Sequence, residues 1–223
     1  MIPTTDLIDT LSRNVMPVQR LRPPWLRALF WLLLGSVVVI LLGAVQGIRP
    51  DIAERLNDRT FVTGMVFALL TGIFAAVAAF MVSLPDRSSW WLLLPMPFLA
   101  GWLSTIGYQC LTHWVSLRPD GMRFGESVRC LATLVLTGLP LSLAMLMMLR
   151  RAMPLRPNRV AFSGSLAVAA VTATALSLFH DLDATVMILL WNIGLTGLYI
   201  GFGCIFAGWL FPQAGPRGAF DRA

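Results

Sequence analysis

The sequence predicts an all-α membrane protein: a six-transmembrane-helix bundle with a short N-terminal cytoplasmic helix. Two observations carry this reading. The 223 residues are 57% hydrophobic and only 13% charged, with a mean hydropathy of +0.75, whereas soluble domains run at roughly a quarter charged residues. The charges are also segregated. No Asp, Glu, Lys, Arg or His falls within residues 28–48, 61–85, 88–112, 131–149, 160–179 or 184–216. Each window holds about 20 residues or more, enough for a helix to cross a hydrocarbon core of about 30 Å. Residues 1–27 are then a cytoplasmic N-terminal segment, 28–211 the transmembrane domain and 212–223 a cytoplasmic tail.

The N-terminal segment contains a short helix of its own. Thr5 suits its N-cap, and Asp6 and Asp9 suit the positive end of its dipole. Leu7, Ile8, Leu11 and Val15 share one face. Met16 precedes Pro17, which disfavours continuing the helix, and Pro23 and Pro24 lead into the first span. A helix this short is marginal alone in water, so its apolar face calls for a partner protein or the bilayer surface. The first apolar window is too long for a secretory signal and has no small-x-small site followed by a soluble chain, so it reads as a retained span.

Arginines set the orientation. With the N-terminus inside, the inner segments hold Arg13, Arg20, Arg22, Arg27, Arg87, Arg150, Arg151, Arg156, Arg159, Arg217 and Arg222, against Arg49, Arg55, Arg59, Arg118, Arg123 and Arg129 outside. This bias favours both termini in the cytoplasm. The same arginines make the net charge +6, which therefore reads as topology and not as a nucleic-acid surface. Tryptophans 25, 31, 90, 91, 114 and 209 fall near the predicted interfaces, where an amphipathic ring is favoured.

Small residues recur at spacings of three and four in three spans. They are Gly72, Ala76, Ala79 and Ser83 in the second, and Ser163, Ala167, Ala170, Thr174 and Ser177 in the fifth. The sixth has Gly194, Gly197, Gly201, Cys204 and Gly208. Such seams let membrane helices approach closely, and Cys204 reads as a packing residue within one. The windows hold no ionisable group of the kind transporters keep for coupling, which disfavours a transporter or channel. A membrane thiol oxidoreductase, the other alternative, lacks the customary Cys-x-x-Cys. P-loop, Gly-x-Ser-x-Gly and His-Glu-x-x-His signatures are absent, so no enzyme is expected.

Soft side chains gather on the predicted outer face. Cys110 and Cys130 end the third span and begin the fourth, which are expected to be antiparallel neighbours. His113 lies one turn past Cys110, and His180 follows the fifth span, with Asp181 and Asp183 after it as accessory groups. Three readings stay open: a redox pair, a Zn or Cu(I) site of thiolate and imidazole, and thiols and imidazoles that merely pack.

Three stretches resemble a known family: DLIDTLSRNVMPVQRLRPPWLRALFW near the N-terminus, CLATLVLTGLPLSLAMLMMLRRAMPLRP across the fourth span, and FHDLDATVMILLWN after the fifth. Together they resemble the NrsF-type membrane anti-sigma factors, and the N-terminal stretch and the Leu-Arg-Arg-x-x-Pro-x-Arg-Pro run at 149–157 are the most specific parts. The resemblance implies an integral protein of a bacterial inner membrane that sequesters an extracytoplasmic-function sigma factor on the cytoplasmic side. It also implies sigma-factor contacts at Asp6, Leu7, Leu11, Pro17, Val18 and Leu21, and sensing on the periplasmic side through Cys130. The sequence departs from the family's habit at His180, where members often carry a further cysteine. Release on a redox or metal signal near Cys110 and Cys130 is the expectation that results.

Overall fold

A computed structural model describes residues 22–112, 124–150, 157–179 and 201–202, with backbone alone described at 109–112, 124–131 and 157. Within these residues the chain is all helix and turn, with no strand. Helix α1, Pro24–Gln46, has Pro23 as its N-cap and Pro24 at its first position, where the missing N–H is no loss. It ends at Gly47, whose φ of +80° suits only glycine. A single-turn helix α2, Ile52–Arg55, follows. Helix α3, Arg59–Val82, is capped by Asp58, whose side chain accepts from the Thr60 N–H at 2.9 Å. A 3-10 turn, Ser89–Leu93, precedes α4, Met96–Thr112. Helices α5, Phe124–Arg150, and α6, Pro157–Phe179, complete the described elements.

Among the described residues, five helical segments are long and apolar enough to cross a membrane. The sixth expected span lies outside the described residues except for Gly201 and Phe202, which are helical. The predicted N-terminal helix lies outside them altogether. The third expected span is not one continuous helix. Its window divides into the 3-10 turn and α4, because Pro95 and Pro97 remove two backbone donors where an α-helix would have to continue.

Helices α1, α3, α6 and α5 form a ring of packed pairs, and α4 lies outside it against α3. The seams predicted in the second and fifth spans meet each other across α3 and α6. A Cβ on Gly72 would stand 3.0 Å from Val171 Cγ2 and 3.4 Å from Ala170 Cβ. Ala76, Ala79, Ser83, Ser163, Ala167 and Ala170 are all buried, and the Ser163 hydroxyl donates to the Ala75 carbonyl at 2.8 Å. This arrangement follows membrane logic: van der Waals contact and interhelical hydrogen bonds hold helices together where lipid supplies no hydrophobic drive. Large side chains fill the rest, with Trp31, Phe80, Leu141, Val160 and Val168 in one core cluster. Leu33, Val37, Ile40 and Leu41 of α1 face outward, as lipid contact requires.

Helix α4 joins α3 through knobs and notches. Gly101 lies under the Phe67 ring, with three ring atoms 2.9 Å from where a Cβ would stand, and Phe74 stacks on Phe98 at 4.6 Å between centroids. The approach of the third and fourth spans expected at Cys110 and Cys130 falls on side chains outside the described residues. Along the described stretch α4 uses its small-residue face against α3, while α5 packs against α6 and α1.

Two further expectations are corrected. Trp31 is fully buried and is not an interfacial belt residue, although Trp25 and Trp90 are exposed as expected. Its indole N–H donates to the Leu141 carbonyl of α5 at 3.0 Å, which satisfies a polar group that would otherwise favour the interface. A charge also enters the bundle. Arg27 lies one residue outside the first uncharged window, yet belongs to α1 and is only 6% exposed.

Candidate functional site

The bundle has two chemically different ends. At one end, Arg27 of α1 meets Phe80 at the close of α3 and Met148 near the far end of the described stretch of α5, and Arg159 of α6 donates to the Ser89 hydroxyl. At the other, Gln46 closes α1 beside Thr133 of α5, Gly64 of α3 touches Thr105 of α4, and the Arg49 N–H donates to the Leu178 carbonyl at 3.3 Å. Described charges divide between them. The Arg27 end holds Arg22, Arg27, Arg87, Arg150 and Arg159 against Asp86. At the Arg49 end, Arg49, Arg55 and Arg59 are balanced by Asp51, Glu54 and Asp58.

The Arg49 end is braced by ions and rings. Arg49 Nε and Nη2 each donate to one oxygen of Asp51 at 2.6 Å, and Arg55 Nε reaches the same carboxylate at 3.4 Å. The Arg49 hydrogen bonds are the main reason the Asp51 carboxyl is held well below its ordinary value, at about 2. The Arg49 guanidinium also lies over Phe61, 5.9 Å from the ring centroid. Phe179, at the end of α6, packs on Gly43 with 3.2 Å between a ring carbon and a built Cβ. The first loop, the end of α6 and the start of α3 are thus held as one lip.

Of the expected sensing residues, Cys110 and Cys130 have their backbone described, and it lies toward this end. Cys110 lies in the last turn of α4 and Cys130 in the second turn of α5, and the side chains of both are outside the description. The described stretches of α4 and α6 run to Thr112 and Phe179, the residues before His113 and His180 in the sequence. Those two histidines, with Asp181 and Asp183, lie outside the described residues. Among the described residues no group of three His, Cys, Asp or Glu is placed to hold a metal. The expected sigma-factor contacts Asp6, Leu7, Leu11, Pro17, Val18 and Leu21 are likewise outside.

Sequence reasoning missed the Arg27 end. The Arg27 guanidinium donates from Nη2 to the Met148 carbonyl and lies 5.1 Å from the Phe80 ring centroid. Its Nη1 is buried with no hydrogen-bond partner among the described residues. The available signal was spacing: Arg27, Trp31 and Gly35 follow one another at four-residue steps, and all three are buried on α1. An arginine on such a face points inward with its neighbours.

A family model described as NrsF, negative regulator of sigma F, matches residues 11–211. No curated protein and no solved structure matches the chain.

Proposed function

Because the chain belongs to the NrsF family, negative regulators of sigma F, we propose that it holds an extracytoplasmic-function sigma factor at the cytoplasmic face of a bacterial inner membrane. Release follows when a redox or metal signal reaches the opposite face. Its sigma-factor partner and its negative-regulatory role follow from the family itself. The type of sigma factor, the side of the membrane and the nature of the signal are parts of the proposal.

The observation that carries the proposal is the reach of α5. One helix bears Cys130 and, further along, the Met148 carbonyl that Arg27 grips, and Arg27 closes the expected N-terminal segment. A change at the cysteine-bearing end therefore has a physical route to the segment that binds the sigma factor. The charge division between the two ends supports the orientation, since arginines accumulate on the cytoplasmic side. The Arg27 end is then cytoplasmic and the Arg49 end periplasmic, where thiols meet an oxidising compartment.

In the proposed cycle Asp6, Leu7, Leu11, Pro17, Val18 and Leu21 contact the sigma factor, and Cys110 and Cys130, with His113 and His180, receive the signal. Asp181 and Asp183 are accessory, and Zn or Cu(I) is the metal class that thiolate and imidazole suit. The signal must favour one arrangement of the bundle over another, because a ligand with equal affinity for both shifts nothing. Replacing both Cys110 and Cys130 by serine tests the sensing arm. The proposal expects the sigma-dependent response to oxidant or metal to disappear while repression persists. An undiminished response to both would remove the cysteines from the mechanism.

A further inference from the structure

An arginine four residues into a membrane helix has a cheap alternative to burial: its long stem can carry the charge to the interface. Arg27 does not take it. Its guanidinium turns into the bundle, between α1, α3 and α5, where it is 6% exposed and Nη1 has no partner among the described residues. Burying an incompletely bonded charge is unfavourable, so depth in the membrane does not account for the inward direction.

The groups it meets do. Met148 lies near the far end of the described stretch of α5, Phe124–Arg150. A backbone carbonyl has two lone pairs, so it can accept a side-chain donor in addition to any helical one. Arg27 Nη2 donates to the Met148 carbonyl, while the Phe80 ring takes the guanidinium on its face. One turn further along α1, the Trp31 indole N–H holds the Leu141 carbonyl. Leu141 directly follows Pro140 within α5, and that proline leaves the helix short of a backbone hydrogen bond. The opening turns of α1 are thus fastened to the half of α5 beyond its proline. On the other side of Arg27 the chain is stiff: Pro23 is the N-cap, Pro24 opens the helix, and the Arg27 N–H bonds the Pro23 carbonyl at 3.2 Å.

We propose that Arg27 is a positioning residue for sigma-factor capture, its clasp on the Met148 carbonyl fixing where and in what direction the N-terminal segment leaves the bundle. This rests on the reading of residues 1–27 as the sigma-binding segment. Arg27 itself touches no sigma factor. It sets the exit of the segment that does, and it ties that exit to the helix that bears Cys130.

The test uses the full-length chain in its own membrane, co-expressed with its sigma factor, and measures sigma factor co-purified per inserted molecule. Arg27→Met keeps the apolar stem and removes the clasp, and capture falls at least about fivefold, the lower range of a typical coupling between sites. Arg27→Lys restores a charged donor to the Met148 carbonyl and recovers more than half of the capture. Trp31→Phe removes one donor and keeps a ring in the core, and capture falls by a smaller factor. Wild-type capture by inserted R27M overturns the proposal. If R27M does not insert, W31F decides: reduced capture at normal insertion supports the clasp, and wild-type capture overturns it. A wild-type chain that captures no sigma factor overturns the underlying reading and the clasp with it. A wild-type chain that captures it, beside an R27M chain that does so equally, overturns the clasp alone.

Discussion

The Thr133 hydroxyl donates to Gln46 Oε1 at 2.9 Å, joining the last residue of α1 to α5 one turn from Cys130. With Trp31–Leu141 and Arg27–Met148 it makes three polar ties between the same two helices, spread from end to end. In a double-mutant cycle of Thr133→Val and Gln46→Leu, unfolding of the detergent-solubilised protein should report a coupling of about 0.6 kcal/mol, typical of interhelical hydrogen bonds in membranes. Strictly additive effects would show that the two side chains do not interact.

The contact of Gly72 with Val171 makes a sharper prediction. A Cβ at Gly72 meets Val171 Cγ2 at 3.0 Å and the Val171 backbone nitrogen at 3.4 Å, so Gly72→Leu must push α3 and α6 apart. Overpacking of this kind costs about 1–3 kcal/mol or more, and the variant should unfold at lower temperature than wild type. Gly107→Ala is the control, because among the described residues nothing lies within 4 Å of its Cβ position. Its thermal midpoint should match or exceed that of wild type, since alanine is the better helix former.

How far the sequence foretold this interface depends on the residue. The seams on α3 and α6 were legible because glycine, alanine and serine at three- and four-residue steps have one use in a membrane helix. That these two seams face each other was not, because spacing marks a face and names no partner. Trp31 and Arg27 were misread for a related reason. Tryptophan and arginine near the end of an apolar window ordinarily mark an interface, and only the carbonyls of Leu141 and Met148, which have no signature of their own, draw these two inward. Adjacency in the chain likewise gives no sign of the notch of Gly101 beneath Phe67, which seats α4 on α3.

Asp51 carries the pH prediction. Its carboxyl is held down to about 2, chiefly by the Arg49 hydrogen bonds, against an ordinary value near 3.8. A depressed carboxylate stabilises the folded state above the unfolded value, and that contribution is lost as pH falls through the folded one. The contribution is thus constant from pH 5 to 8 and disappears between about 4 and 2. The stability difference between wild type and Asp51→Asn should follow the same course, read from unfolding of the solubilised protein across pH. A difference that changes between pH 5 and 8 would mean that Asp51 is not paired in this way.

The central claim is that a membrane-embedded bundle presents a short N-terminal segment to a sigma factor. Co-purification of the sigma factor with the full-length chain, and with a chain lacking residues 1–21, tests it most directly. The deletion removes Asp6, Leu7, Leu11, Pro17, Val18 and Leu21 and leaves α1 with its proline entry and Arg27 intact. At equal insertion, the full-length chain should retain the sigma factor and the shortened chain should lose at least about tenfold of it, equivalent to about 1.4 kcal/mol. Equal capture by both chains would contradict the claim and place the sigma-binding surface elsewhere on the protein.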